Sequence, residues 1–419
     1  MYVLKAGQVV DGTGKEPLSG AVVVVDGQRI VHVGAPEEFG SGGLDGALAD
    51  AEVLDFGIGK TLMPGMIDSH LHTSFNGEPD YWDIVFKQTE SFRTLTSLKN
   101  VQADLRAGFT TVRVLGEKSH LDIALRKAIE AGIVTGPRLV CAGQNITVTG
   151  GHADIWLTPD IRFEQGLGGV IVDGPEEVRK AARQQLKAGA DLVKLLVTGG
   201  VMSEGSEPGL QHMSEEEIAA AVNEAHRVGK RVAVHAQGTK GIQTSVRLGV
   251  DTVEHGYYLD REGADLMAKR GAYLIPTLTA RDASAVHDDK VPAYVLRKSK
   301  EAGEAVHRAF QYAREAGVRI AAGTDAGSPH NYHGRNAREL ELLVEFGMSP
   351  MEAVVAATKT AAECLAIGDK VGTLEQGKGA DIICVDGDPL TDISACRKVG
   401  FVMKEGAVVV KDGSPLFRA

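Results

Sequence analysis

Two hydrophobic patterns divide the 419-residue chain. Up to about residue 62, short Val/Ile/Leu runs are cut by glycine turns. YVLKAGQVVDGTG, GAVVVVDGQRIVHVG and AEVLDFGIGKTLMPG each set β-type runs against turn residues such as Asp-Gly. The same texture returns after about residue 370, in VGTLEQGKGADIICVDGD and VGFVMKEGAVVVKDG. The two ends resemble each other and differ from the middle. This predicts that residues 1–62 and 366–419 pair into one small β-sandwich domain.

Between them, apolar runs alternate with amphipathic stretches. The expected strands are Gly65–His72, Thr110–Leu115, Arg138–Ala142, Leu192–Val197, Arg231–Ala236, Thr252–His255, Ala272–Pro276 and Arg319–Thr324. EEVRKAARQQLKAGA, SEEEIAAAVNEAHRVG and NARELELLVEFG carry helical spacing, and Ser214 followed by Glu217 is a capping-box signature. Eight strands, each followed by a helix or long loop, predict an α/β fold, a (β/α)8 TIM-like barrel over 63–365, rather than a doubly wound sheet.

Composition narrows the function classes. Forty-five basic and 56 acidic residues give a net charge of −11, which argues against nucleic acid or an anionic membrane as partner. Neither GxGxxG after a strand nor GxxxxGK[ST] occurs, so nucleotide binding has no support. The four cysteines lack CxxC spacing and read as reduced thiols. With no secretory signal and no apolar run of ~18 residues, a cytoplasmic protein is expected.

In a (β/α)8 barrel the chemistry lies at the C-terminal ends of the strands. Strand one carries His70 and His72 on one face, two residues apart, in LMPGMIDSHLHT. The fourth strand holds Lys194 inside an apolar run. The fifth ends in His235, the sixth in His255, and the eighth leads to Asp325. Singly, each has another explanation: a snorkelling lysine, hydrogen-bonded core histidines, a helix N-cap. Five strands placing ligand-capable residues at one barrel end are harder to obtain by packing alone. A buried ammonium beside cations would be costly, so Lys194 would be a neutral amine open to carboxylation by CO2. Four histidines, one lysine carbamate and Asp325 make a ligand set for two divalent metals.

MPGMIDSHLHT, the lysine of LVKLLVTGG, HAQG, EHG and GTDAG resemble the amidohydrolase superfamily. The resemblance extends to its imidazolonepropionase-related branch of metal-dependent dipeptidases and N-acyl amino acid amidases, over nearly the whole chain. It implies that His70, His72 and Asp325 hold one metal and His235 and His255 a second. Lys194, as N6-carboxylysine, would bridge the two. Zinc is the expected metal, with manganese and cobalt open, and a homo-oligomer is expected. The implied reaction is attack of a metal-bridging hydroxide on an amide of a dipeptide or N-acyl amino acid, with Asp325 shuttling the proton.

His152 matches a family position that contacts the substrate carbonyl; a loop histidine without a role is the alternative. Gln144, Asn145, Gln237, Tyr257, Tyr258 and His330 are expected near substrate, with His333 on the same loop. VMSEGSEPGLQHM reads as a mobile lid. Glu254 is expected outside the ligand cluster, because alternation turns it away from His255. The same site could serve a cyclic or xenobiotic amide, carbamate or urea. A non-catalytic scaffold is the remaining reading.

Overall fold

A computed structural model describes residues 1–39, 51–79, 81–154, 160, 168–284 and 290–417. Eight parallel strands form the barrel: β1 Met66–Leu71, β2 Phe109–Val114, β3 Arg138–Cys141, β4 Leu192–Leu196, β5 Arg231–Ala236, β6 Thr252–His255, β7 Tyr273–Ile275 and β8 Arg319–Ile320. All eight lie within or beside the predicted runs. They are almost wholly buried because helices cover the outer face and side chains fill the interior, which explains the near-continuous apolar sequences. Backbone bonds from Ser69 N to Ala322 O (2.9 Å) and from Asp325 N to His70 O (2.7 Å) close the ring between the last strand and the first.

β3 is interrupted. Gly143 takes φ +69°, and the chain resumes as Asn145–Thr147, which pairs with β4 at Ile146 and Leu195. The outer helices follow their sequence stripes. In Glu215–Arg227, residues Ile218, Ala221, Val222 and Ala225 are buried, and Ser214 and Glu217 form the predicted capping box.

The two chain ends pair directly. Ile382–Asp386 runs antiparallel to Lys60–Pro64, with Leu62 opposite Cys384. This seven-stranded sheet faces a four-stranded one made of Tyr2–Lys5, Val22–Asp26, Arg29–Gly34 and Glu52–Asp55. In the run Val22–Val25 alternate residues serve two clusters. Val23 and Val25 join Leu4, Leu62 and Phe401 between the sheets, while Val22 and Val24 pack with Val3. The strand Lys60–Pro64 passes into β1 through Gly65, where an added Cβ would lie 2.1 Å from Thr110 Oγ1. The four cysteines are buried and free. Among the described residues, no helix is long and apolar enough to cross a membrane.

Candidate active site

The six sequence-predicted ligands converge at the C-terminal mouth of the barrel, around one cavity of about 170 Å³. His70 Nε2 and His72 Nε2 lie 3.5 and 3.3 Å from Asp325 Oδ1. Ring centroids then step across the site: His70 to His255 at 5.0 Å, His255 to His235 at 4.5 Å, and His235 to a stacked His152 at 4.2 Å. Lys194 opens into the same cavity from β4.

Each of the four histidines spends one ring nitrogen on an acceptor. His70 Nδ1 donates to Glu254 Oε2 (2.9 Å) and His72 Nδ1 to the Gly116 carbonyl (3.2 Å). His255 Nδ1 donates to Thr277 Oγ1 (2.7 Å), whose own proton goes to the Pro276 carbonyl. His235 Nε2 donates to the Gly199 carbonyl (3.0 Å). Burial holds His70, His235 and His255 well below the usual imidazole range, so these three rings are neutral. A neutral ring that donates from one nitrogen keeps a lone pair on the other. The free pairs are therefore Nε2 of His70 and His255 and Nδ1 of His235, while the Nε2 of His72 is turned to Asp325 by the Gly116 contact at its Nδ1. The Nε2 atoms of His70 and His72 both face a carboxylate oxygen, an arrangement that a cation between them resolves. His70, His72 and Asp325 have ligand atoms within 4.8 Å of one another and could hold one metal ion.

Lys194 supplies a second sign. It is 2% exposed, and its Nζ has no hydrogen-bond partner among the described residues. Burial lowers its pKa to about 8, so roughly a tenth of the amine is neutral at pH 7, far more than for an exposed lysine. An orphaned amine of this kind fits conversion to a carbamate that faces cations.

The backbone is strained around the candidate ligands. His255, Thr277 and Asp325 have φ of +71°, +47° and +59°. Non-glycine residues in this region cost about 1–3 kcal/mol each and cluster at functional sites. The strain has a geometric effect at His255. Strict alternation would send Glu254 and His255 to opposite faces, but the left-handed turn brings both against His70. Glu254 stays outside the candidate ligand cluster, yet it holds His70 from behind. Its other oxygen accepts from Arg113 Nη2 (2.8 Å), and Arg113 also donates to the Ser69 carbonyl. A lone arginine in the apolar run FTTVRV was the available signal, since a charge there needs a buried partner. Asp68 braces the last loop, accepting from Thr324 Oγ1 (2.6 Å) and Asn336 Nδ2 (2.8 Å).

Of the residues expected near substrate, His152, Gln237, Tyr257 and His330 line the cavity, together with Asn145. Gln144 and Tyr258 are not among the lining residues. The Gly143 turn carries Gln144 toward Gln185, whose Oε1 accepts its backbone N–H (2.9 Å). His333 lies behind the site rather than in it: it pairs with Asp104 (2.8 Å) and reaches the carbonyls of His72 and Phe75. The segment 201–213, expected to be a mobile lid, is tied down at several points. Val201, Ser203 and Ser206 are buried, and Lys298 donates to the carbonyls of Ser203 (2.6 Å) and Ser206 (2.7 Å). Apolar walls come from Phe75, Leu115, Leu196, Val201, Met202 and Val295. Among the described lining residues, the ionisable groups other than the histidines and Tyr257 are Lys194 and Asp325.

A barrel whose strand ends gather neutral imidazoles, a carboxylate and a buried amine is the frame of a metal-type hydrolase. Residues 61–409 match the amidohydrolase family, and the chain belongs to it. It is a hydrolase acting on amide C–N bonds. The ochratoxinase of Aspergillus niger is 31% identical, over 94% of this chain and 83% of that protein. A crystal structure of a Xaa-Pro dipeptidase with methionine in its active site superposes with a TM-score of 0.88 at 34% identity, covering 97% of this chain and 99% of the other. A prolidase complexed with N-methylphosphonate-L-proline gives 0.89 at 32% identity, covering 98% and 99%. An imidazolonepropionase of Rhizobium rhizogenes is 24% identical, over 88% of this chain and 87% of that protein.

Proposed function

We propose that the chain is a binuclear metal-dependent amidohydrolase cleaving the amide of a dipeptide or an N-acyl amino acid, carried by a barrel domain over 63–365. The observation that carries this reading is the set of fixed rings: four histidines each spend one ring nitrogen on an acceptor and leave the other to the site, beside Asp325 and the unpartnered Lys194 amine. In this reading His70, His72 and Asp325 would hold one cation and His235 and His255 the other. The Lys194 amine would add to CO2 with loss of a proton, giving an anionic carbamate as a further ligand. Bound there, the cations supply Lewis acidity and a water of lowered pKa.

The chain's own groups do the rest. Asp325 lies beside His70 and His72 and lines the cavity, where it is placed to act as the proton carrier. It accepts a proton from the attacking water and returns it to the leaving nitrogen. His152 directs a ring N–H at the scissile carbonyl oxygen, and Gln237 and Tyr257 lie beside it. The apolar walls suit an apolar acyl group or side chain. A second reading, a xenobiotic amide, carbamate or urea, gains support from the ochratoxinase likeness and from the few charged lining groups. The test is metal quantification on purified protein with a hydrolysis panel of Xaa-Pro, Xaa-Arg/Lys and other dipeptides, N-acyl amino acids and aryl amides. Two metals per chain with dipeptide or N-acyl turnover is the expected result. Turnover confined to non-peptide amides moves the assignment to the second reading. A protein that binds no metal overturns both.

A further inference from the structure

The loop after β4 is fastened from outside the barrel. Helix Ala293–Glu315 presents three successive contacts to it. Tyr294 Oη donates to the Met202 carbonyl (3.3 Å), and Arg297 pairs with Glu207 (2.7 Å). Between them, Lys298 is 1% exposed. Its ammonium reaches the carbonyls of Ser203 (2.6 Å), Ser206 (2.7 Å) and Gly200 (3.4 Å). Three oriented carbonyls around a buried cation fix that stretch of backbone more firmly than neutral bonds would.

The fastened loop holds His152. Ser203 Oγ accepts the Ala153 N–H (2.9 Å) and lies 2.8 Å from His152 Nδ1. The Ser203 hydroxyl is buried and, among the described residues, has no partner beyond these two, so its proton is satisfied only by donation to the imidazole. Nδ1 is then the acceptor and the ring proton sits on Nε2. Gly200 closes the fit: an added Cβ would stand 2.3 Å from His152 Cε1. The ring is thus held between Gly200 and the stacked His235.

We infer that Ser203 and Lys298 are positioning residues that hold His152 in the Nε2–H tautomer, aimed as a hydrogen-bond donor into the cavity. The tautomer stands on the contacts alone; its consequence for turnover rests on the amidohydrolase reading above. Without the Ser203 hydroxyl, nothing in the described structure selects the Nε2 proton, and a ring in the other tautomer would present an acceptor to the substrate carbonyl.

The experiment uses full-length protein labelled with 15N-histidine, with His152→Gln identifying the His152 signals. Wild type should show one neutral tautomer protonated at Nε2. Ser203→Ala should show a mixture, and Lys298→Met should speed amide exchange across 199–207 by roughly tenfold or more. On the amide that wild type cleaves fastest, Ser203→Ala should lose roughly ten- to hundredfold in kcat, with KM within about threefold and metal content unchanged. Added to His152→Gln it should cost nothing further. Arg297→Ala, which removes a surface pair to the same loop, should leave the tautomer intact. A wild-type His152 protonated at Nδ1, or a Ser203→Ala protein that keeps the pure Nε2 tautomer, overturns the inference. So does an additive double variant. The spectroscopic arm decides even if no panel amide is cleaved. Should Lys298→Met fail to fold, Ser203→Ala decides alone.

Discussion

Glu254→Gln should do more damage than an isosteric change of one atom suggests. In the native site one Glu254 oxygen accepts from Arg113 (2.8 Å) and from Thr252 (2.5 Å), and the other from His70 Nδ1 (2.9 Å). A glutamine has one accepting oxygen. If that oxygen stays on Arg113, its NH2 faces His70 and forces the ring proton to Nε2, where the ligand lone pair was. If it turns to His70, the Arg113 guanidinium loses its anion. That cation is 2% exposed and would retain the Ser69 carbonyl and Thr252 Oγ1. Breaking a fully buried pair from one side costs about 3–5 kcal/mol. Losing an orienting partner of a metal-bound histidine costs about 10–100-fold in metal affinity. Guanidinium unfolding of metal-stripped protein reads the first, and zinc titration against a competing chelator reads the second. Arg113→Met in the Glu254→Gln background should recover stability by removing the unpaired charge. It should also recover part of the affinity, because the amide oxygen is then free for His70. Zinc affinity equal to wild type, with a stability loss under about 1 kcal/mol, would refute this account of the buried pair.

Three further outcomes test separate parts of the site. Lys194→Ala should lose at least one metal per chain by elemental analysis, and short carboxylic acids should restore part of the activity; a fully metallated, fully active variant would remove the carbamate from the reading. Asp325→Asn should lose ~10²–10⁴ in kcat even where metal is retained, and wild-type turnover would exclude it as proton carrier. The third concerns stability. Burial pushes the Asp122 carboxyl up to about 7, although the Gly143 N–H donates to it (2.8 Å). The folded state therefore holds this proton more tightly than the unfolded chain, and its contribution to stability falls as pH rises from about 4 to about 7. Asp122→Asn should gain roughly 2–3 kcal/mol relative to wild type between about pH 5 and about pH 8, at about 1.4 kcal/mol per unit. Denaturant midpoints of metal-stripped protein that shift equally at both pH values would contradict this.

The barrel was legible because each strand is buried on both faces and reads as an unbroken apolar run. The six candidate ligands stood out for the same reason: a histidine, lysine or aspartate in or just after such a run is conspicuous, and six of them at one barrel end are harder to obtain by packing alone. What escaped depends on where regular geometry breaks. Alternation placed Glu254 away from its neighbour, and the left-handed φ at His255 undid that. Gln144 and Asn145 were expected near substrate because they follow the end of β3, whereas the Gly143 turn sends the Gln144 backbone to Gln185 and only Asn145 lines the cavity. Neither deviation carries a mark in a pattern of period two.

The loop after β4 shows the other limit. Its glycines, its serines and its lack of periodicity describe a segment without regular structure of its own. What holds it comes from nearly a hundred positions later, where Lys298 sits in a helix whose sequence gives no hint that one lysine points inward. A local pattern reports the interactions a segment can make with itself. The Ser203–His152 contact exists because a buried cation supplies the order that the loop cannot, and such long-range cations are what a single sequence hides best. The same logic applies to Arg113, whose charge is tolerable in the barrel interior because Glu254, on a strand far along the chain, is there to meet it.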